Sequence, residues 1–205
     1  MGWRQIRWAL VGAWLAASTS AAEAAPYLVA GLEFSDEEGG LVITNAYGTG
    51  TPEDPITIEE DILEDGPALL VVRGMTRDFG NRIGGGDQAV GFVLTKKVRN
   101  RTTRPWHSFE IEVRELRTRT STYEDGLSFG QSMGSARLFG SDRFSQMLQT
   151  DEPIDAVVFS GDTIWPGESL TIRVVITDFS PNWQFYILQR REAPLASAEP
   201  HGMLR

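Results

Sequence analysis

The feature that most restricts the fold is a regular alternation of apolar and polar side chains. Every second residue from Leu170 to Ile176 is a large aliphatic residue, and Phe109, Ile111 and Val113 repeat the pattern. A period of two places these side chains on one face of a β-strand, whereas a helix would repeat every three to four residues. Seven further segments predict strands: Tyr27–Ala30, Leu41–Tyr47, Ile56–Ile62, Ala68–Arg73, Gln88–Arg99, Ala156–Ser160 and Trp183–Arg190.

Turn-forming clusters separate these segments, for example Asp65-Gly66-Pro67 and Trp165-Pro166-Gly167. Short strands punctuated in this way predict an all-β fold, an immunoglobulin-like β-sandwich of about eight or nine strands, with a barrel as the alternative. No long amphipathic helix is indicated, although Phe144–Leu148 could form one helical turn. Two longer segments, Met75–Asp87 and Arg117–Pro153, predict loops, and the second is the long irregular loop of the domain.

The first 24 residues have the three parts of a secretory signal. Arg4 and Arg7 supply a basic start, Ala9–Ala17 is an uncharged and largely apolar run, and Ala22-Glu23-Ala24 is a small-x-small site. This pattern predicts a signal peptide at 1–24, cleaved near Ala24, and therefore a periplasmic or secreted protein. The apolar run is much shorter than the roughly 20 residues of a membrane span, so we expect no membrane insertion after cleavage. The alternative is an amphipathic helix that stays in the protein.

The mature chain is acidic and contains no cysteine. Removing residues 1–24 leaves 17 basic and 27 acidic residues, a net charge of −10. This balance argues against binding to nucleic acid or to anionic membranes, both of which require a basic surface. An exported domain without cysteine is held together by its core rather than by disulfides. We predict one such domain at 25–191, followed by a loose tail at 192–205.

Three runs of residues carry a resemblance to a known kind of domain. They are Gly91–Asn100, Pro105–Glu112 and Trp165–Leu170, with their Val-x-Asn, Trp-x-x-Phe and Pro-Gly-Glu-Ser pieces. In order and spacing they resemble strands and turns of immunoglobulin- or fibronectin-like sandwiches in bacterial exported and surface proteins. The resemblance implies a sandwich fold, and many unrelated functions share that fold.

Positive charge is concentrated in residues 96–120, which have a net charge of +5 while the rest of the mature chain has −15. If residues 100–105 form the turn of a hairpin, these side chains gather at one end. Arginine binds carboxylates, sulfates and phosphates, so the expected partner is a protein or an anionic polysaccharide. The alternative is a solvated face that balances acidic loops. The segment contains Lys96 and Lys97, and its candidate interaction surface is Arg99, Arg101, Arg104, Arg114, Arg117 and Arg119.

Aromatic residues in the long loop and nearby turns suggest a second kind of surface. Exposed aromatic rings can stack on sugars, although such residues more often fill the core. The candidate sugar-stacking residues are Tyr123, Phe129 and Trp165. Phe139 and Phe144 are the other aromatic residues considered in this region.

Catalytic and metal-binding patterns are weak. His107 is expected at a strand edge with a backbone partner, and Glu110 with Glu112 is expected to form ordinary surface ion pairs with Lys97, Arg99 or Arg114. We expect no cofactor, and calcium is the metal that the acidic turns could bind. The sequence therefore predicts a non-catalytic exported binding or structural module of the cell envelope or extracellular matrix. The alternative is a carbohydrate-binding or carbohydrate-acting secreted protein.

Overall fold

The computed structural model describes residues 25–122, 124–130, 138–150 and 154–191. The predicted signal peptide, Tyr123 and the predicted tail lie outside the described residues. The described residues form thirteen strands and one short 3-10 helix at Arg77–Phe79, where the pattern predicts eight or nine strands. The strands are β1 Tyr27–Val29, β2 Leu32–Ser35, β3 Leu41–Tyr47, β4 Ile56–Ile62, β5 Ala68–Arg73, β6 Val90–Asn100, β7 Trp106–Arg114, β8 Leu127–Phe129, β9 Gly140–Ser141, β10 Gln146–Thr150, β11 Ala156–Ile164, β12 Ser169–Asp178 and β13 Gln184–Arg190.

The strands form two open sheets in a sandwich-like arrangement. The seven-stranded sheet has the order β1-β2-β5-β13-β7-β11-β10, and the six-stranded sheet has the order β3-β4-β6-β12-β8 with β9 also paired to β12. All pairs of named strands are antiparallel except β4 with β6. The fold class is therefore all-β, as predicted.

The core lies between the sheets and follows the predicted alternation. Phe109, Ile111 and Val113 of β7 and the even-numbered aliphatic residues of β12 are fully buried in one apolar cluster. On β6 the even-numbered side chains from Val90 to Val98 take the same inward face. Burying these faces removes large apolar side chains from water at about 25 cal/mol per Å², which is the main favourable contribution to folding.

Residues 100–105 do not close a hairpin, which corrects that prediction. Strand β6 pairs with β4 and β12, whereas β7 pairs with β11 and β13 in the other sheet. The chain therefore crosses between the sheets at this point. Local turn residues cannot distinguish such a crossing from a hairpin, because strand pairing is decided by long-range packing.

The long irregular loop is also partly regular. Strands β8, β9 and β10 lie within 117–153, and Gln146–Thr150 pairs antiparallel with β11. The proposed helical turn at Phe144–Leu148 is therefore wrong, because most of it belongs to this edge strand. The sequence of β10 does not alternate clearly between apolar and polar residues, because an edge strand buries less of its surface.

Three crossings between the sheets meet at one end of the sandwich, which we call the arginine end. They are residues 63–67 between β4 and β5, 100–105 between β6 and β7, and 165–168 between β11 and β12. The register places them together, since Ile62 is opposite Asn100, and Ile164 is opposite Trp106. Strand β13 ends there as well, because Gln189 is opposite Ala68 at the start of β5.

Candidate anion-binding pocket

A pocket of about 230 Å³ opens at the arginine end. The crossings at 63–67 and 100–105 and the end of β13 supply its walls. Two prolines, whose backbone φ angle is fixed by the ring, stiffen two of these walls. The lining residues are Asp65, Gly66, Pro67, Arg104, Pro105, Trp106, Arg190 and Arg191.

Arg191 is the most unusual residue of the pocket, because only 5% of its surface is exposed. One guanidinium nitrogen, Nη2, donates a hydrogen bond to the backbone carbonyl of Glu64 at 2.6 Å. Its Nε and Nη1 groups are enclosed and have no acceptor among the described residues. Burial lowers the pKa of Arg191, and nearby carboxylates, first that of Asp65, oppose this effect. Since a guanidinium stays charged at any relevant pH, the pocket contains a desolvated cation with unused donors.

Arg190 points to the outer face of the seven-stranded sheet and is already neutralised. It forms ion pairs with Glu110 and with Glu112, the latter at 2.8 Å. Arg114 donates two further hydrogen bonds to Glu112, at 2.6 and 3.1 Å. Both carboxylates are thus held by arginines. The prediction of ordinary surface ion pairs is wrong, because Glu110 and Glu112 are buried. Of the predicted partners Arg114 does pair with Glu112, whereas Arg190 was not anticipated.

Arg104 is the accessible cation at the mouth of the pocket. Its side chain is 72% exposed, and its ion pair with Asp65 is long, at 3.6 Å. An exposed pair of this kind contributes little to stability, about 0–1 kcal/mol. Arg104 is therefore free to turn toward a ligand at small cost to the fold.

Trp106 is fixed by a network that also joins two of the crossings. Asn100 donates hydrogen bonds to the backbone carbonyls of Arg104 and Ile164, at 2.9 and 3.1 Å. Thr102 donates to the Asn100 side-chain oxygen at 2.7 Å and accepts the indole N–H of Trp106 at 3.2 Å. Trp106 is only 2% exposed and packs against Phe109 in the core, so it lines the pocket with little open surface.

Charged and polar groups continue from the pocket into the interior between the sheets. Lys96 of β6 and Glu60 of β4 are both fully buried and form an ion pair at 2.8 Å. Burial lowers the pKa of Lys96, and the charge of Glu60 opposes that shift. Gln189, on the same inward face as Arg191, is also fully buried. One oxygen of Glu60 and both amide atoms of Gln189 have no partner among the described residues.

The structure divides the predicted basic surface into two groups. Arg99, Arg101 and Arg104 lie at the arginine end, where Arg101 pairs with Asp61 and Arg99 donates to the backbone carbonyl of Gly167. Arg114, Arg117 and Arg119 lie at or beyond the far end of β7, on the order of 25–30 Å away by strand rise. A single six-arginine surface is therefore wrong, because β7 separates its halves. Lys96 does not belong to any surface, since it is buried.

Several cations of the basic segment pair with nearby carboxylates, as expected if the segment is a solvated face that balances acidic loops. Arg117 pairs with Glu38 at 2.7 Å, and exposed Lys97 pairs with Glu59 at 2.9 Å. Arg119 is exposed. Of the six, Arg104 alone lines the pocket.

The aromatic candidates also separate. Trp165 is 57% exposed and directly follows Ile164, the residue in register with Trp106. Phe129 is fully buried in the core, which corrects its assignment as a sugar-stacking residue. Phe144 is buried in the same core and Phe139 packs against it. Tyr123 lies outside the described residues.

Other chemistry predicted from the sequence can be placed as well. His107 is exposed and contacts the hydroxyl of Thr163, 3.1 Å from its Nδ1, rather than a backbone group. Within the residues that the structure describes, no group of three or more histidine or carboxylate side chains is arranged to hold a metal ion. No helix in this part of the chain has the length and apolar character to cross a membrane.

The molecule is thus an all-β, sandwich-like domain with an arginine-lined pocket at one end. Comparisons of the chain with protein-family models, with curated proteins and with solved structures found no match.

Proposed function

We propose that this protein is a non-catalytic, exported binding module that takes an anionic polysaccharide of the cell envelope or extracellular matrix at the arginine-lined pocket. The observation that carries the proposal is the buried guanidinium of Arg191, in which two nitrogens, Nε and Nη1, lack an acceptor among the described residues. Leaving a buried charged donor unsatisfied costs several kcal/mol by order of magnitude. An anionic ligand would recover part of that cost.

A polysaccharide is favoured over an acidic protein because aromatic surface lies next to the cationic pocket. Exposed Trp165 in the adjacent crossing supplies this surface, whereas Trp106 is 2% exposed and packs in the core. Aromatic faces pack well against the C–H groups of sugar rings, and arginine binds the acidic substituents. We also propose that the fold is an immunoglobulin-like sandwich, because the chain crosses repeatedly between two sheets. The parallel pairing of β4 with β6 differs from a purely antiparallel sandwich.

We propose a non-catalytic role because the side chains that could act in catalysis are held in other contacts. Glu110 and Glu112 are held in ion pairs by Arg190 and Arg114, so neither carboxylate is free to face a substrate. A glycosidase needs two carboxyl groups that flank the scissile bond. His107 contacts Thr163 and is exposed, and no acid orients it among the described residues.

Export can be tested directly. We expect the mature protein to begin at Ala25 or Pro26, because Ala22-Glu23-Ala24 is the best small-x-small site. Intact-mass measurement of protein from the periplasm or medium, made in the native host, checks this. Recovery of a membrane-bound product that retains Met1 would contradict export while leaving the binding proposal open.

Binding is tested by removing Arg104, the most exposed cation among the described residues that line the pocket. Arg104→Gln should lower retention on immobilised acidic polysaccharide by about tenfold at low ionic strength, through loss of a charge-assisted hydrogen bond. It should change stability by no more than about 1 kcal/mol. Arg117→Gln is the matched control, because it removes the same charge from an exposed ion pair near the far end of β7.

The outcomes separate the alternatives. Wild-type retention that falls with added salt, is lost in Arg104→Gln and survives in Arg117→Gln supports the pocket. Equal weakening by both variants would indicate nonspecific charge attraction and would contradict the pocket. Retention on an acidic protein but not on any acidic polysaccharide would replace the proposed ligand class with a protein partner.

A further inference from the structure

We infer that the pocket accepts a single sugar residue carrying one carboxylate, a uronic acid, rather than a stretch of polymer. This inference rests on the proposed function and specifies its ligand. It is drawn from the pocket's size, its unbalanced charge and the enclosure of its unused donors.

The size of the pocket limits the ligand to about one ring. Its volume of about 230 Å³ is below the roughly 300–1,000 Å³ of pockets that enclose drug-sized ligands. Pro67 and Pro105 restrict the movement of its walls, so it cannot widen easily into a groove. The polymer would therefore enter through one residue, with the neighbouring sugars outside near Trp165.

The charge of the site indicates a monoanion. Three arginines line the pocket, and two of them are already in ion pairs: Arg104 with Asp65, and Arg190 with Glu110 and Glu112. Arg191 has no ion pair among the described residues, although the carboxylate of Asp65 acts on it from a longer distance. The Lys96–Glu60 pair behind the pocket is neutral as a pair. Glu64 accepts from Arg191 through its backbone carbonyl, and its own side chain is in an exposed turn.

The enclosure of the donors favours a carboxylate over a sulfate ester. Nε and Nη1 of Arg191 have almost no solvent-accessible surface, so an anion reaches them only when the Arg191 side chain turns toward the pocket, and a small anion requires the smaller movement. A carboxylate is planar and has two oxygens, whereas a sulfate ester is tetrahedral and bulkier. Arg104 would close over the ligand after exchanging its long contact with Asp65 for the carboxylate.

The test uses three methyl glycosides that differ in one substituent. Methyl glucuronide, methyl glucoside and methyl glucoside 6-sulfate are titrated into the purified full-length mature protein at low ionic strength, followed by tryptophan fluorescence and by calorimetry. We expect saturable binding of the glucuronide, with the neutral glucoside and the sulfate at least about tenfold weaker. Arg104→Gln should weaken glucuronide binding by about tenfold, and Arg117→Gln should leave it unchanged.

Arg191→Lys tests the buried cation without removing its charge, since lysine has fewer fixed donors than a guanidinium. The Arg191→Lys protein should fold and bind the glucuronide more weakly than the wild type. If Arg191→Lys does not fold, the binding measured for Arg104→Gln decides whether the inference stands. Equal binding of glucoside and glucuronide, or tighter binding of the sulfate, would overturn the inference. Retention of wild-type protein on acidic polysaccharide without binding of any monosaccharide would overturn it while sparing the proposed function. No binding to polymer or monosaccharide would end both.

Discussion

Replacing Lys96 with methionine should lower the free energy of unfolding by about 3–5 kcal/mol. Methionine fills nearly the same volume, so the effect is electrostatic rather than a cavity. The change leaves Glu60 fully buried without its partner, and one oxygen of Glu60 already has no hydrogen bond among the described residues. Urea denaturation measures the loss of stability relative to the wild type.

Replacing both members of the pair should recover most of the stability. Lys96→Met combined with Glu60→Leu puts apolar groups between Leu94, Val98 and the isoleucines of β4, which already line this face. Well-packed apolar replacements of a buried ion pair are commonly neutral or stabilising. The double variant should therefore be several kcal/mol more stable than Lys96→Met alone, which a double-mutant cycle quantifies.

The adjacent ion pair supplies a matched control. Lys97 and Glu59 lie one residue along on the same two strands, at 2.9 Å, but on the solvated face. Lys97→Met should cost no more than about 1 kcal/mol, because water solvates the remaining carboxylate. If Lys97→Met and Lys96→Met were equally damaging, burial would not be the cause. If the double variant were as unstable as Lys96→Met, the cost would not come from the unpaired carboxylate.

Strand positions could be predicted from the sequence because they depend on local alternation. The bounds of β3, β4 and β5 agree with the predicted Leu41–Tyr47, Ile56–Ile62 and Ala68–Arg73. Each has large apolar residues bounded by turn formers, a pattern set by a few neighbouring residues. The pairing of β6 with β4 and β12 depends on residues far apart in the chain, so the crossing at 100–105 was not recoverable from turn composition.

The buried ion pair did leave a signal in the sequence. Lys96 stands between Leu94 and Val98 in an alternating strand, and Glu60 stands between Ile58 and Ile62. The same rule that buries the aliphatic residues buries these two charges. The net charge of residues 96–120 includes Lys96, but its position in the period of two places it in the interior.

The pocket could be predicted only in part. Arg104 and Trp165 were identified as candidates, and the structure places both at the arginine end. Arg190 and Arg191 were missed, although a pair of arginines ending an alternating strand puts one on each face. Their meeting with Asp65 depends on three crossings converging at one end, and no local pattern encodes that convergence.

At the opposite end of the sandwich, Asp178 should make the domain less stable as the pH rises. Its carboxyl group is only 1% exposed, and burial raises its pKa to about 7. A hydrogen bond from the backbone N–H of Ser180, at 2.8 Å, opposes that rise. The negative charges of Glu115 and Asp125 then raise the pKa further, and Arg77 lowers it.

The sign follows from which state holds the proton. Between about pH 4 and pH 7 the folded protein keeps a proton on Asp178, whereas the unfolded chain has lost it. The contribution of Asp178 to the free energy of unfolding therefore falls as the pH rises through this range, and it is constant below and above the range. The raised pKa corresponds to at most about 4 kcal/mol, and relaxation of the end of β12 around the ionised carboxylate reduces this to on the order of 2 kcal/mol.

Asp178→Asn should remove this dependence, because asparagine resembles the protonated acid and its oxygen can still accept from Ser180. Compared with wild type, the variant should be more stable at pH 8 by on the order of 2 kcal/mol and nearly unchanged at pH 5. Asp162→Asn is the control, since Asp162 also accepts a backbone N–H, at 2.7 Å, but is exposed and has a lowered pKa. That variant should lack the gain at pH 8. The prediction fails if the stability of the wild type changes between pH 5 and pH 8 in the same way as that of Asp178→Asn. That result would show that the folded protein tolerates an ionised Asp178.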